Sequence, residues 1–155
     1  GCGGLWVIKF PYAASKAAAY QLVSGFARSE GLAVGYLRIF NAYGDGQHHL
    51  NLWPSLRQAA LSGNDFDLTL GEQIRDFIHV NDVASAFADV LKLSLLQPGC
   101  TYVQNIGSGV PTAIRDFCSH WWSAFQASGQ LHIGALPYRD NEVMQYVPCL
   151  DAHYI

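Results

Sequence analysis

Cysteine is scarce and scattered in this chain. Its four thiols, Cys2, Cys100, Cys118 and Cys149, form no CxxC pair and no dense framework, which excludes a disulfide scaffold and a zinc knuckle. They read as buried or idle thiols in a reducing cytoplasm. Charge is thin as well: nine lysines and arginines are spread over 155 positions, with a formal net charge of -3. That spread excludes the basic face of a nucleic-acid binder. No apolar run approaches the roughly 18 residues that suggest a membrane span. Nor does a charged start lead into an apolar run, as in a secretory leader. The expectation is a cytoplasmic protein that has neither a nucleic acid nor a membrane as partner. His48-His49 is the only close histidine pair, and adjacent residues do not share a helix face, so no metal is expected.

Half of the residues are hydrophobic, enough for one domain with a real core. Gly1-Cys2-Gly3-Gly4 is a flexible lead-in, with no strand before it to make it a phosphate loop. Alanines 17 to 19 favour a helix over residues 12–28, and Gly31 is its stop. Residues 33–40 suit a buried strand, followed by a glycine-punctuated loop from Asn41 to Gly46. Pro54 is tolerable in the first turn of a helix running to about residue 61. Residues 66–70 and 77–80 read as short strands. Asn81 caps a helix over residues 82–96, with Val83, Ala86, Phe87, Val90 and Leu91 on one apolar face. A strand over 102–106 leads into Gly107-Ser108-Gly109. Thr112 then caps a helix through residue 125, and 131–133 form a last strand before a proline-punctuated tail. Alternating strands and helices imply an α/β fold with some parallel pairing. No strand carries the glycine fingerprint that opens a dinucleotide fold, so the pattern reads as the end of a fold that begins upstream.

Tyr12 and Lys16 lie four residues apart, on one face of the first helix. An ammonium beside a phenol favours the phenolate, while burial opposes it. A tyrosine so placed can exchange a proton with a sugar oxygen while hydride moves at the carbon. The spacing by itself is common, and a solvated helix pair is the plain alternative.

Its neighbours change the weighing. Pro11-Tyr12-Ala13-Ala14-Ser15-Lys16 resembles the active-site helix of extended short-chain dehydrogenases/reductases, the NAD-dependent epimerase/dehydratase family. Leu37-Arg38-Ile39-Phe40-Asn41-Ala42-Tyr43-Gly44 resembles that family's strand-to-loop segment. Arg75-Asp76-Phe77-Ile78-His79-Val80-Asn81-Asp82-Val83-Ala84 and Asn105-Ile106-Gly107-Ser108-Gly109 resemble two further hallmarks, in family order and spacing.

The resemblance implies a partial Rossmann-like parallel sheet with a small mixed α/β substrate-binding region. Residues 1–45 would end the NAD(P)-binding domain. Residues 46–155 would form the substrate region, interleaved with the last Rossmann elements at about 76–106. It implies NAD or NADP as cofactor, a nucleotide-linked sugar as substrate, and a homodimer at full length. Tyr12 is then the general acid/base, and Lys16 holds the nicotinamide ribose. Ile39 and Phe40 meet the nicotinamide ring. Asn41, Arg75 and, less closely matched, Asn51 contact the substrate diphosphate. Arg139 is a second phosphate clamp, and the nucleobase lies near Leu68 and Leu70. The structural alternative for Arg75 is a surface pairing with Asp76 or Glu72. His79 and Asn105 read as structural.

The sequence also departs from the family. The glycine-rich phosphate loop, the ribose-selecting acid and the catalytic serine or threonine belong upstream of Tyr12, where this chain has eleven residues. Pro148-Cys149 stands where an aspartate is usual, and residues 6–10 are unusually apolar. The 155-residue chain alone is therefore expected to be inactive. Three readings stay open: a nucleotide-sugar epimerase, dehydratase or 4-keto reductase; a reductase of a non-sugar carbonyl; and a non-catalytic fragment.

Overall fold

The computed structural model describes residues 11–92, 96–151 and 153–154. The glycine-rich opening and the apolar stretch at 6–10 lie outside the described residues, as do residues 93–95 of the expected third helix. The chain divides into two compact units, Gly1–Leu37 with Asp89–Gln104 and Ala152–Ile155, and Arg38–Ala88 with Asn105–Asp151.

In the first unit, α1 (Pro11–Glu30) runs for 20 residues and ends where Gly31 turns left-handed at φ 65°. Glycine adopts that conformation without steric cost, which frees the Leu32 N–H to reach back to the Ala27 carbonyl at 2.8 Å. Ala27 is the buried residue of α1, and Tyr20 meets Tyr36 of β1 (Val34–Ile39) edge to face, with centroids 5.0 Å apart. The sheet order is β1-β5-β9, where β5 is Thr101–Ile106 and β9 is His153–Tyr154, antiparallel to β5. Thr101, Tyr102 and Val103 are buried.

The second unit is organised by β4 (Ile74–His79). Its second half pairs in parallel with β2 (Asn41–Tyr43), Asn41 opposite Phe77. Its first half pairs antiparallel with β6 (Pro111–Ala113) and in parallel with β8 (Gln145–Tyr146). A separate parallel pair joins β3 (Phe66–Leu68) to β7 (Leu131–Ile133). Two helices supply the core: α2 (Leu52–Ser62) buries Trp53, Leu56 and Ala60, and α4 (Ile114–Ala124) buries Phe117 and Cys118. The spacing of 53, 56 and 60 puts the α2 set on one helix face. Burial pushes the Cys118 thiol up to about 12, so it packs as a small apolar group and is inert as a nucleophile.

Several elements differ from the sequence reading. Part of the expected loop after β1 is strand β2, because β4 offers it an edge. The β4 strand begins three residues earlier than expected, and β3 ends at Leu68. Asn81 is not a cap. The helix α3 (Val80–Lys92) already includes it, and the Asn81 N–H is taken by His79 Nδ1 at 3.2 Å. Leu96 lies outside any helix.

Thr112 does not cap α4 either, because it is paired with Arg75 in β6. The N–H groups of Ile114 and Arg115 are satisfied instead by the carbonyls of Gln73 and Gly71, both at 3.0 Å. That close approach requires glycine: a Cβ at Gly71, where φ is 64°, would stand 2.7 Å from the Arg115 nitrogen. Two strands, β8 and β9, follow the one expected to be last.

Alternation along β4 sends Arg75 and Phe77 to one face and Asp76 and Ile78 to the other. Asp76 is fully buried, and its two oxygens accept the N–H groups of Ser108 and Gly109 at 2.6 and 2.8 Å. The hallmark glycines thus let the 107–109 loop wrap a carboxylate. Asp76→Ala should destabilise the protein by about 2–3 kcal/mol, the range for charged hydrogen bonds reduced by water reaching the freed N–H groups. Urea unfolding measures this, and a loss below about 0.5 kcal/mol, within the scatter of surface substitutions, would show that the loop stands without the carboxylate.

Candidate active site

The second unit holds a cavity of about 280 Å3. Its polar wall comes from Asn41, Gln47, Asn51 and Arg75, and its apolar wall includes Trp53, Phe77 and Phe117. Each polar side chain arrives by a local cause. Asn41 opens β2, and its Nδ2 donates to the Asp76 carbonyl at 3.2 Å. Asn51 is the residue before α2; its carbonyl accepts from Ser55 N–H, but its side chain makes no cap hydrogen bond. Arg75 comes to this face by strand alternation.

Arg75 Nη2 donates to Glu142 Oε1 at 3.0 Å, and Nη1 donates to the Ile74 carbonyl at 2.9 Å. The pairing with Asp76 or Glu72 does not occur: Asp76 faces the other way, and Glu72 accepts from the Tyr138 hydroxyl at 3.1 Å. Gln47 donates from Nε2 to the Ala42 carbonyl at 3.1 Å. Gln47 Oε1 and Trp53 Nε1 are buried with no hydrogen-bond partner among the described residues. Tyr43, on the same wall, meets Trp53, Phe117 and Trp121 with its ring. Burial, and then the Asp82 carboxylate, raises its pKa above the ordinary phenol value, so it presents a neutral hydroxyl.

The structure therefore brings Asn41, Asn51 and Arg75 to one cavity. Tyr12 and Lys16 belong to the first unit. Tyr12 is 74% exposed, and Lys16 Nζ lies 5.3 Å from the centre of its ring. Ile39 ends β1 half exposed, and Phe40 donates its N–H to the Ile106 carbonyl and stacks on Tyr146. The Leu68 side chain is buried in the aromatic core, whereas Leu70 is 52% exposed. Arg139 is exposed, and its carbonyl accepts the Glu142 N–H at 3.1 Å. His79 takes a helix N–H, and Asn105 Nδ2 donates to the Cys149 carbonyl at 2.7 Å. Sequence reasoning missed Gln47, Trp53 and Glu142. A glutamate 67 positions from its arginine leaves no local signal.

Residues 6–107 match the model of the NAD dependent epimerase/dehydratase family. The chain belongs to that family. It is 28% identical over 137 residues to the CDP-abequose synthase of Salmonella typhimurium, covering 86% of this chain and 46% of that protein. The fold matches UDP-N-acetylglucosamine 4-epimerase from Methanobrevibacter ruminantium, solved with UDP-N-acetylmuramic acid, with a TM-score of 0.81. That match is at 23% identity over 97% of this chain and 48% of the other. The UDP-glucose 4-epimerase of Thermus thermophilus, solved with NAD, matches with a TM-score of 0.74 at 25% identity, covering 97% of this chain and 51% of that one. The chain thus spans about half the length of these relatives. Solved neighbours of this epimerase/dehydratase chain carry NAD or NADPH. No described helix is long and apolar enough to cross a membrane.

Proposed function

We propose that this chain is part of an NAD(P)-dependent enzyme acting on a nucleotide-linked sugar as an epimerase, dehydratase or 4-keto reductase. The observation that carries this reading is the convergence of Asn41, Asn51 and Arg75 on one cavity wall. A planar guanidinium with two amides suits the oxygens of a diphosphate, and an uncharged carbonyl substrate has no use for the cation. Arg139 is the second cation of this reading, and Leu70 borders the nucleobase with the backbone of Leu68. A homodimer in the cytoplasm at full length belongs to the same reading.

The residues present fit the nicotinamide end of the cofactor. Tyr12 and Lys16 are exposed on one helix face, and Lys16 makes no salt bridge among the described residues. Held there by Lys16 and Tyr12, a nicotinamide would supply the hydride chemistry at the sugar carbon. Tyr12 holds the proton that moves at the adjoining oxygen. Lys16 positions the ribose hydroxyls and keeps a positive charge beside the phenol. The tail stretch Pro137-Tyr138-Arg139-Asp140-Asn141-Glu142 favours the epimerase and reductase branches, on its likeness to deoxysugar enzymes.

Turnover of UDP-, CDP- and dTDP-linked sugars by the full-length protein tests the reading: NAD(P)H absorbance follows 4-keto reduction, and NMR of the sugar product follows epimerisation or dehydration, which leave no net change in NAD(P)H. Reduction of only non-nucleotide carbonyls would overturn it. The 155-residue chain by itself is expected to bind NAD(P) weakly, because the pyrophosphate normally rests on a glycine loop and helix N-terminus and this sequence has no GxxGxxG. Submicromolar binding by calorimetry would contradict that.

A further inference from the structure

We propose that Tyr138 is a positioning residue: its hydroxyl latches the tail turn that carries Arg139 onto Glu72, and this latch sets how tightly the cavity holds a nucleoside diphosphate. The inference rests on the cavity being the diphosphate site, with Arg139 as its second cation.

The latch closes with two hydrogen bonds on one oxygen. The Tyr138 hydroxyl accepts the Glu72 N–H at 3.2 Å and donates to Glu72 Oε2 at 3.1 Å, across 66 positions of chain. The post that it grips is built onto the core. On either side of Glu72, the carbonyls of Gly71 and Gln73 accept the first N–H groups of α4, from Arg115 and Ile114, both at 3.0 Å. Gly71 also donates its own N–H to Thr69 Oγ1 at 3.2 Å. Arg75 follows Glu72 by three residues. Tyr138 therefore fastens the tail to the turn that leads into the Arg75 strand.

The tail is otherwise anchored at its two ends. Where it leaves β7, the Gly134 N–H reaches the Leu68 and Thr69 carbonyls, both at 3.1 Å, and the Leu136 N–H reaches the Leu68 carbonyl at 3.0 Å. Where it enters β8, the Met144 carbonyl accepts the Ile74 N–H at 2.7 Å. Between those anchors lie the Tyr138 latch and the Glu142 contact with Arg75. Arg139 directly follows Tyr138 and is exposed, so the latch fixes the point from which its side chain reaches. Without the latch, an arriving ligand has to order the turn itself, and that cost is subtracted from affinity.

The test is titration calorimetry of the full-length protein with UDP, CDP and dTDP as probes, with amide hydrogen exchange followed over residues 136–143. Parent, Tyr138→Phe, Glu72→Gln, Glu72→Ala and Arg75→Ala are compared. Tyr138→Phe keeps the ring and every charge. It should weaken binding of the preferred diphosphate by about fivefold, the worth of one net hydrogen bond, and quicken exchange in the tail turn alone. The two Glu72 variants lose the same charge, but glutamine keeps an oxygen for the hydroxyl to bond. Glu72→Gln should therefore bind more tightly than Glu72→Ala. Parent-like binding by Tyr138→Phe, or equal binding by the two Glu72 variants, overturns the latch. So does exchange that is unchanged in the tail turn, or raised throughout the protein. If Arg75→Ala weakens binding while Tyr138→Phe does not, only this inference falls. If Arg75→Ala binds like the parent, or the parent binds no probe, the diphosphate site falls with it.

Discussion

Tyr12→Phe in the full-length protein is expected to lower kcat by about 10²–10⁴-fold, the usual contribution of a positioned proton donor or acceptor, and to leave KM nearly unchanged. The substitution removes one oxygen and keeps the ring. Tyr12 is 74% exposed on α1 and Lys16 Nζ stands 5.3 Å from its ring centre, so the hydroxyl supports no core packing. A loss confined to kcat identifies an interaction made in the transition state. Lys16→Met should lower kcat as well, and should also weaken NAD(P) binding if the ammonium holds the ribose. Steady-state kinetics with a nucleotide sugar measure all three parameters. Retention of more than half the parent kcat in Tyr12→Phe would remove Tyr12 from the chemistry and leave α1 a solvated helix.

Arg75→Ala is expected to raise KM for a nucleotide sugar by roughly 10–150-fold, which corresponds to about 1.5–3 kcal/mol for charge-assisted hydrogen bonds. Two effects add here. The guanidinium is lost from the wall it shares with Asn41 and Asn51, and the Glu142 carboxylate is left beside the anion without its partner. Arg75→Lys should recover part of the loss, since it keeps the charge and gives up the planar fork. NAD(P) affinity should stay within about twofold, well under 1 kcal/mol, because the clamp is assigned to the substrate. Parent-like KM in both variants would make Arg75 a structural partner of Glu142 and move the non-sugar reductase ahead.

The longest elements could be read from the chain because their causes are local. Alanine-rich sequence ending at a glycine makes α1, and one-faced apolar spacing makes α2 and α4. The apolar runs of β1 and β5 also announce themselves. Four short motifs in order were enough to assign the family, since each is contiguous, and Asn41, Asn51 and Arg75 were singled out that way. In the sequence, the three-residue strands β2 and β6 look like a loop and a helix cap. They carry little propensity of their own and exist because β4 offers hydrogen-bonding edges to both.

The sequence by itself therefore determined the family, the α/β character and the candidate residues. Tertiary structure decided which way those residues face and what they meet. Adjacent Arg75 and Asp76 look like partners in the sequence, yet strand alternation turns them to opposite faces, one toward the cavity and one into the 107–109 loop. Glu142, 67 positions away, becomes the partner of Arg75 only because β8, just after it, returns to pair with β4. Contacts closed over such distances depend on strand pairing and register, which no local pattern encodes.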